Sequence, residues 1–216
     1  MAEFTIYIGN KNYSSWSLRA WLMLKAAGVP FTEVLIPLYQ AGSRTELLRR
    51  SPSGKVPVLH HEGRVVWDSL AIGEYLAEQA PTVWLWPEEA SARAAARAAS
   101  AEMHSGFQAL RRHLPMNMRR HVARALTPEC QADLDRVFAL WEECRRRYAV
   151  GGDYLFGRFC IADAMFAPVV SRLRTYGVAC TGIAGAYADR LWAYPAFQDW
   201  AEAARTEPMT VDQFEL

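Results

Sequence analysis

The sequence lacks a dominant charge of either sign. Its 24 lysines and arginines nearly balance 23 aspartates and glutamates, which leaves a formal net charge of +1. Nucleic acids and acidic membrane surfaces select strongly basic proteins, so we expect neither as the main partner. The arginine pairs alternate with acidic residues along the chain, which is typical of solvated helix faces.

Long hydrophobic runs are also missing. The longest, from Ile161 to Val170, is interrupted by Asp163 and is shorter than the ~18 residues that a membrane span needs. The first residues show no basic segment followed by an apolar run, so we expect no secretory leader and a cytoplasmic location.

Cysteines are few, and none lies in a C-x-x-C pair. All four fall in the second half of the chain, and no histidine stands at zinc-finger spacing from them: Cys130, Cys144, Cys160 and Cys180. This pattern predicts reduced, mostly buried thiols and no metal site.

Motifs of three large enzyme classes are absent as well. The sequence has no G-x-S-x-G elbow, no G-x-x-x-x-G-K-[ST] phosphate loop and no G-x-G-x-x-G fingerprint. Serine hydrolases of the α/β type, phosphate-loop nucleotide hydrolases and Rossmann dehydrogenases are therefore disfavoured.

The hydrophobic pattern that is present changes character near residue 80. Before it, strand and helix patterns follow in the order β-α-β-α-β-β-α, which predicts a thioredoxin-like α/β domain over residues 1–81. After a linker at 80–87 that is rich in proline and tryptophan, no strand pattern returns. The sequence predicts helices over 91–114, 128–149, 161–176, 185–193 and 195–206, and so an all-α bundle domain over 88–216.

Pro57 stands between a polar loop and a strand. If the 56–57 peptide bond is cis, the N–H and C=O of Val56 can face outward and pair with an extended, peptide-like ligand. The alternative is a trans proline that opens an edge strand, because proline has no N–H for a sheet ladder.

Two places combine serine with the start of a helix. Asp68 and Ser69 precede one apolar pattern, and Ser14 and Ser15 precede another. Short polar side chains at these places cap free backbone N–H groups, and the same N–H groups with the helix dipole suit a bound anion. A serine hydroxyl there can also stabilise a thiolate that a substrate supplies.

Four motifs, taken in order, resemble the cytosolic glutathione S-transferase family. They are YSSWSLR at 13–19, KVPVL at 55–59, DSLAIGEYL at 68–76 and GRFCIAD at 157–163, so that the resemblance spans the chain. The first motif is of the serine type and is most similar to the zeta class, which has cysteine where this chain has Trp16. The last motif has Cys160 where the family's helix cap has serine or threonine.

The resemblance implies a glutathione transferase with glutathione as co-substrate. Ser14 would donate a hydrogen bond to the glutathione sulfur, with Ser15 and Ser17 as nearby substitutes. The other implied contacts come from the first domain: Gln40, Lys55, Val56, Pro57 (in cis), Asp68 and Ser69. Among them, the Val56 backbone would pair with the cysteinyl unit, and Asp68 and Ser69 would hold the γ-glutamyl end.

The second substrate is expected to be a small hydrophobic electrophile, bound between the two domains. We expect its candidate wall residues to face one another across the interface: Tyr13, Trp16, Met103, His104, Phe107 and Arg111. Core packing is an open alternative for Met103 and Phe107, and so is a packing role for His104. The resemblance also implies a homodimer.

Other functions on the same fold stay open. A glutathione-dependent isomerase or peroxidase would use the same site, whereas a ligand carrier or an interaction protein would keep the fold without turnover. A thiol–disulfide oxidoreductase is disfavoured because the 12–19 loop has no cysteine.

Overall fold

The computed structural model describes residues 3–215 of the chain. Within this range the chain forms four strands and nine α-helices. The strands are β1 Phe4–Ile8, β2 Phe31–Leu35, β3 Val58–His61 and β4 Arg64–Trp67. The helices are α1 Ser15–Ala27, α2 Ser43–Arg50, α3 Ser69–Gln79, α4 Ala90–Ser105, α5 Gln108–His113, α6 Pro128–Tyr148, α7 Ile161–Tyr176, α8 Gly182–Trp192 and α9 Pro195–Thr206.

The four strands form one mixed sheet in the order β2-β1-β3-β4. β1 runs parallel to β2 and antiparallel to β3, and Tyr7 of β1 pairs with Val58 of β3. β1 lies inside the sheet, where four of its five residues are buried, whereas β2 is an edge strand with no buried residue. The predicted thioredoxin-like sheet with its helices is confirmed.

Helix α1 packs against α3 on one side and α7 on the other, and so joins the α/β half to the helical half. Ten of its 13 residues are buried, which explains the near-continuous apolar sequence of this helix. Its N-cap is Ser14, whose side chain accepts a hydrogen bond from the Ser17 N–H, and its C-cap is Gly28 with φ of 66°. Only glycine adopts that left-handed conformation at little cost.

Helix α7 is the centre of the helical half. All its residues except Arg174 are buried, although the helix contains Pro168 and Arg172. Asp163 stands in its first turn and accepts hydrogen bonds from the backbone N–H groups of Leu155 (3.1 Å) and Cys160 (2.8 Å). The helix is therefore capped by a carboxylate although its N-cap residue is a cysteine.

Two sequence-based helix boundaries are wrong. The single helix expected over 91–114 breaks into α4 and α5, because Gly106 is extended and Phe107 has φ of 59°. Helix α8 begins at Gly182, three residues before the expected start. Between α5 and α6 the chain is irregular. No helix within 3–215 has the length and apolar character needed to cross a membrane.

Candidate functional site

A cavity of about 610 Å³ opens between the α/β half and the helical half. This volume falls within the usual range of ligand pockets. One wall is formed by the residues at the start of α1, the loop before α2 and the segment before β3. Residues of α5, α7 and the carboxyl-terminal segment form the opposite wall.

Ser14 and Ser15 line the cavity at the amino-terminal end of α1. The Ser14 Oγ accepts from the Ser17 N–H at 3.4 Å and donates its proton to the Ser17 Oγ at 2.8 Å. Ser17 is fully buried, and its Oγ accepts from the Gly9 N–H at 3.0 Å. Ser17 therefore braces the loop from behind, while Ser14 and Ser15 face the cavity.

The peptide bond between Val56 and Pro57 is cis. Pairing of β3 begins at Val58, so the backbone of Val56 lies outside the sheet ladder. Val56 and Lys55 line the cavity beside Gly54. This arrangement leaves an extended backbone segment next to the serines, as the sequence predicted for the cis case.

Asp68 and Ser69 start helix α3 but are not part of the cavity lining. The Asp68 carboxylate accepts from the Leu70 N–H at 2.9 Å and pairs with the His104 Nε2 at 3.2 Å. Asp68 itself has φ of 74°, and the Ser69 Oγ is buried without a hydrogen-bond partner among the described residues. The His104 ring meets Trp16 edge-on at 5.2 Å, which places this end of α3 directly behind the cavity wall.

The structure brings seven predicted site residues to the cavity surface and leaves six behind it. Those that line it are Tyr13, Ser14, Trp16, Gln40, Lys55, Val56 and Arg111. Those that do not are Pro57, Asp68, Ser69, Met103, His104 and Phe107. Met103 is fully buried and Phe107 nearly so, which favours the core-packing alternative for both.

The sequence interpretation missed several residues of the wall. They come from the loop before α2, from the helical half and from the carboxyl-terminal segment: Tyr39, Arg44, Pro115, Met116, Arg172 and Phe214. Arg172 carried a signal, because an arginine within a helix of apolar residues is costly to bury unless its charge is used. Phe214 carried none, since nothing local indicates that it meets Tyr39 and Tyr13.

The hydroxyl of Tyr13 makes all its hydrogen bonds with protein groups on the carboxyl-terminal side of the cavity. It accepts from the Arg119 Nη2 at 2.7 Å and from the Val211 N–H at 3.2 Å, and it donates to the Glu215 carboxylate. A tyrosine hydroxyl has one proton and two lone pairs, so these three bonds use its capacity. The serines are thus the available hydroxyl groups at the start of α1.

Two guanidinium groups contact the ring of Trp16. Arg19 stands over its ring with the guanidinium carbon 4.4 Å from the ring centroid, and Arg111 does so at 5.0 Å. Arg172 lines the same part of the cavity. This wall is therefore aromatic and cationic.

The residues 3–215 contain no cluster of three or more histidine, cysteine, aspartate or glutamate side chains placed to hold a metal ion. The peptide-like features of the site, a free backbone segment and a helix amino terminus, instead suit an extended anionic ligand.

Comparisons with known proteins agree with this architecture. The family described as "Glutathione S-transferase, N-terminal domain" matches residues 13–79. A probable maleylacetoacetate isomerase from Caenorhabditis elegans is 38% identical over 96 residues, or 44% of each chain, so less than half of that relative's length is covered. The maleylacetoacetate isomerase of Rattus norvegicus is 29% identical over 178 residues, which cover 80% of this chain and 79% of the rat protein.

A crystal structure of a glutathione transferase homologue from Burkholderia gl BGR1, with bound glutathione, matches over nearly the whole chain. The TM-score is 0.71 and the identity 26%, with 96% of this chain and 100% of that chain covered. The chain thus has the fold of a glutathione transferase. Residues 13–79 belong to the family of glutathione S-transferase N-terminal domains, and the chain as a whole is similar to maleylacetoacetate isomerases and glutathione transferases.

Proposed function

We propose that the protein is a glutathione transferase that activates the thiol of glutathione through Ser14. The observation that carries this proposal is the position of the Ser14 hydroxyl, at the amino terminus of α1 and on the cavity wall. Glutathione is bound in the Burkholderia homologue. Here its cysteinyl unit would pair with the backbone of Val56, which lies outside the sheet.

The remaining contacts follow from the two ends of the tripeptide. The γ-glutamyl end would reach behind the cavity wall to the start of α3, where Asp68 supplies a carboxylate. The Ser69 hydroxyl, which has no partner among the described residues, would supply a donor there. The glycyl carboxylate would lie toward Lys55 and Gln40, which are exposed on the cavity wall. A cytoplasmic location is part of the proposal, because reduced glutathione and free thiols persist there.

Ser14 acts as a hydrogen-bond donor to the sulfur. Its Oγ already accepts from the Ser17 N–H, so its proton can turn from the Ser17 Oγ to a thiolate without loss of the helix cap. A free thiol has a pKa of about 8.5, and one such bond with the helix dipole lowers it by about 1–2 units. The thiol proton leaves to water, and the thiolate sulfur then attacks the electrophile held beside it.

The test is the pKa of the bound glutathione thiol, followed by thiolate absorbance, in matched serine variants. Ser14→Ala should raise that pKa and lower kcat/KM at neutral pH by about tenfold or more, because the thiolate fraction falls. Ser15→Ala, which changes the adjacent cavity serine, should change kcat/KM by less than about threefold. The proposal for Ser14 is wrong if Ser15→Ala causes the loss and Ser14→Ala does not.

Loss of the helix cap must be separated from loss of the donor. Ser14→Ala also removes the cap, which costs about 0.5–2 kcal/mol of stability, so circular dichroism should confirm the fold at the assay temperature. Ser17→Ala removes the buried brace at the same loop and serves as the control for a purely structural effect.

A second candidate is a glutathione-dependent isomerase, because three relatives of this chain carry the name maleylacetoacetate isomerase. In that reaction the thiolate would add to a carbon–carbon double bond and leave again, so glutathione would not be consumed. Mass spectrometry of the products distinguishes the two functions. A conjugate that accumulates in proportion to the glutathione consumed supports the transferase, whereas an isomerised product with unchanged glutathione supports the isomerase.

A further inference from the structure

Ser14 stands on a tight turn whose shape depends on Asn10. The N–H groups of Tyr13 and Ser14 both donate to the Asn10 carbonyl, at 3.1 and 2.8 Å. Helix α1 follows this turn at once, so a displacement of Asn10 is passed on to the Ser14 hydroxyl at the cavity wall. The contacts that hold Asn10 therefore affect the donor that is proposed to meet the glutathione sulfur.

A buried carboxylate, that of Glu207, holds this turn from behind. Glu207 directly follows α9, and 7% of its surface is exposed. Its Oε1 accepts from the Asn10 Nδ2, and its Oε2 accepts from the Asn12 N–H at 3.1 Å. Asn10 and Asn12 are themselves almost fully buried. One side chain thus binds two residues of a turn that lies 197 and 195 positions earlier in the sequence.

Both contacts require Glu207 to supply an acceptor. The Asn10 Oδ1 accepts from the Leu38 N–H at 2.8 Å, so the end of the Asn10 amide that faces Glu207 is its NH2 group. The other donor is a backbone N–H. A carboxylate satisfies two donors, whereas the amide of a glutamine offers one oxygen and sets its own NH2 group against the second donor. Glutamate is therefore the side chain that fits this position.

The charge of Glu207 is used on the turn. Arg119 donates from Nη1 to the Glu207 main-chain carbonyl at 2.7 Å and pairs with Glu215 at 3.5 Å, rather than with the Glu207 carboxylate. Burying a carboxylate is costly unless its oxygens are hydrogen-bonded. The two bonds to the turn therefore stabilise Glu207 in its buried position.

Other contacts hold the middle of the turn. The Asn12 Oδ1 accepts from the Arg119 N–H at 3.0 Å, and the indole N–H of Trp200 on α9 donates to the Lys11 carbonyl at 3.0 Å. These bonds remain when the Glu207 side chain is changed. Loss of the Glu207 contacts should therefore loosen the start of the turn while the path of the chain is kept.

We propose that Glu207 is a positioning residue of the reaction, which holds the turn at 10–14 so that the Ser14 hydroxyl meets the glutathione sulfur. The inference deepens the proposed function and rests on it, because Glu207 acts through Ser14. Glu207 does not line the cavity, so it has no direct part in the bond changes. A displacement of about 1 Å at a reacting group can cost a factor of about 100 in rate.

The first test is Glu207→Gln, which keeps the size of the side chain and replaces one acceptor by a donor. It should lower kcat/KM at neutral pH by at least about tenfold and move the pH profile of kcat/KM to higher pH, because the sulfur loses a well-placed donor. The Kd of glutathione should change by less than about threefold, since the contacts expected from Val56 and Lys55 remain. Glu202→Gln, at an exposed position of α9, is the matched control and should change neither quantity.

A reciprocal double variant exchanges the donor and the acceptor. In Asn10→Asp alone two carboxylates face each other, and in Glu207→Gln alone a donor faces a donor. When both changes are combined, the new carboxylate accepts from the new amide NH2 group and from the Leu38 N–H, and the amide oxygen accepts from the Asn12 N–H. The double variant should recover kcat/KM to within about threefold of the wild type, although each single variant loses at least about tenfold.

Amide hydrogen exchange examines the turn without any turnover. Glu207→Gln should speed exchange of the Tyr13 and Ser14 N–H groups by at least about tenfold, because the Asn10 carbonyl that accepts from them is no longer held. The double variant should restore slow exchange, and Glu202→Gln should not alter it. The inference is overturned if exchange in Glu207→Gln is unchanged, or if the double variant recovers neither exchange nor kcat/KM.

A cycle with Ser14→Ala separates this inference from the proposed function. In the Ser14→Ala background, Glu207→Gln should cost less than about a further threefold in kcat/KM, since its effect passes through the missing hydroxyl. Equal losses in both backgrounds overturn the inference. If Ser14→Ala lowers kcat/KM and Glu207→Gln does not, the proposed function stands without the inference. If Ser14→Ala has no effect, the proposed function fails, and faster exchange in Glu207→Gln would still show that Glu207 holds the turn.

Discussion

At the scale of single residues, Asp163 shows two opposing effects on one carboxyl group. It is fully buried, and burial raises its pKa to about 6 from an ordinary value of 3.8. Its hydrogen bonds from the Leu155 and Cys160 N–H groups act in the other direction, because they favour the charged form. The raised pKa means that burial is the stronger effect.

This balance predicts how stability depends on pH. Between about 4 and 6 the folded protein binds the Asp163 proton more tightly than the unfolded chain, so the free energy of unfolding falls as pH rises. Asp163→Asn removes this dependence. Urea unfolding of both proteins from pH 4 to 7 should show the wild type losing up to roughly 3 kcal/mol relative to the variant.

Other carboxyl groups titrate in the same range, so only the difference between the two proteins is informative. The variant itself should be less stable at pH 4 by about 1–3 kcal/mol, because an amide N–H faces a backbone N–H. The expectation concerns the difference in free energy of unfolding between the wild type and the variant. If this difference stays constant over the pH range, or grows in favour of the wild type as pH rises, the hydrogen bonds outweigh burial.

Some single residues of the site could be predicted from the sequence, and others could not. Ser14 and Val56 could be named because a serine before a helix and a residue before proline are local patterns. Arg172 stands out in the sequence as an arginine within an apolar helix, but its position on the cavity wall depends on how α7 packs against α1. Met103 and Phe107 share the helical periodicity of wall residues, but that periodicity alone does not say which neighbour they face.

At the scale of elements, the break between α4 and α5 places Arg111 at the cavity. Gly106 ends α4, and a Cβ atom there would lie 2.8 Å from the Glu102 carbonyl oxygen. Arg111 then reaches back across the break to the Gly106 carbonyl. The break therefore depends on a position where only glycine fits without movement of the backbone.

Gly106→Ala should destabilise the protein by about 1–3 kcal/mol, since the methyl group meets backbone rather than a flexible side chain. Urea unfolding measures this loss. Ser105→Ala, at the exposed last residue of α4, is the control and should stay within about 0.5 kcal/mol of the wild type. Equal stability of the two variants would mean that the backbone at the break moves easily.

The order of elements was predictable, whereas this break was not. Alternating strand and helix periods fix the α/β half, and their absence after residue 87 fixes the helical half. The apolar period of the sequence continues from Met103 through Phe107 to Leu110, and all three residues are buried although the helix breaks. Tertiary packing causes the break between α4 and α5, and the helical period of the sequence does not indicate it.

At the scale of the whole molecule, we expect a homodimer. Light scattering should give twice the 24.4 kDa mass of one chain. Trp67 and Val65 lie on the edge strand β4 with 46% and 37% of their surfaces exposed, and together they form an apolar patch that suits an interface. Trp67→Glu should shift the protein toward the monomer, because a charge at an apolar interface is unpaired.

Val150 offers the matched control, since it is 90% exposed and stands in a turn. Val150→Glu should leave the mass unchanged. A monomeric wild-type protein contradicts the expectation, and a dimer that survives Trp67→Glu would place the interface elsewhere.

The cavity is closed by contacts between residues that are far apart in the sequence, and no local sequence pattern predicts such contacts. Phe214 meets Tyr13 across a separation of about two hundred residues, and Asn117 donates to the Phe214 carbonyl at 3.0 Å. Such contacts depend on the folded path of the entire chain. The sequence could identify the α/β wall of the cavity for this reason, and missed most of the opposite wall.

The position of Trp16 has an optical consequence. Of the eight tryptophans in the sequence, it is the one that lines the cavity in the part of the chain described, and its ring is flanked by Arg19 and Arg111. The fluorescence emission of an indole responds to nearby charge. An anion that binds in the cavity and draws a guanidinium away from the ring should therefore change the emission wavelength and intensity. The protein thus contains its own reporter of occupancy, which Trp16→Phe would silence.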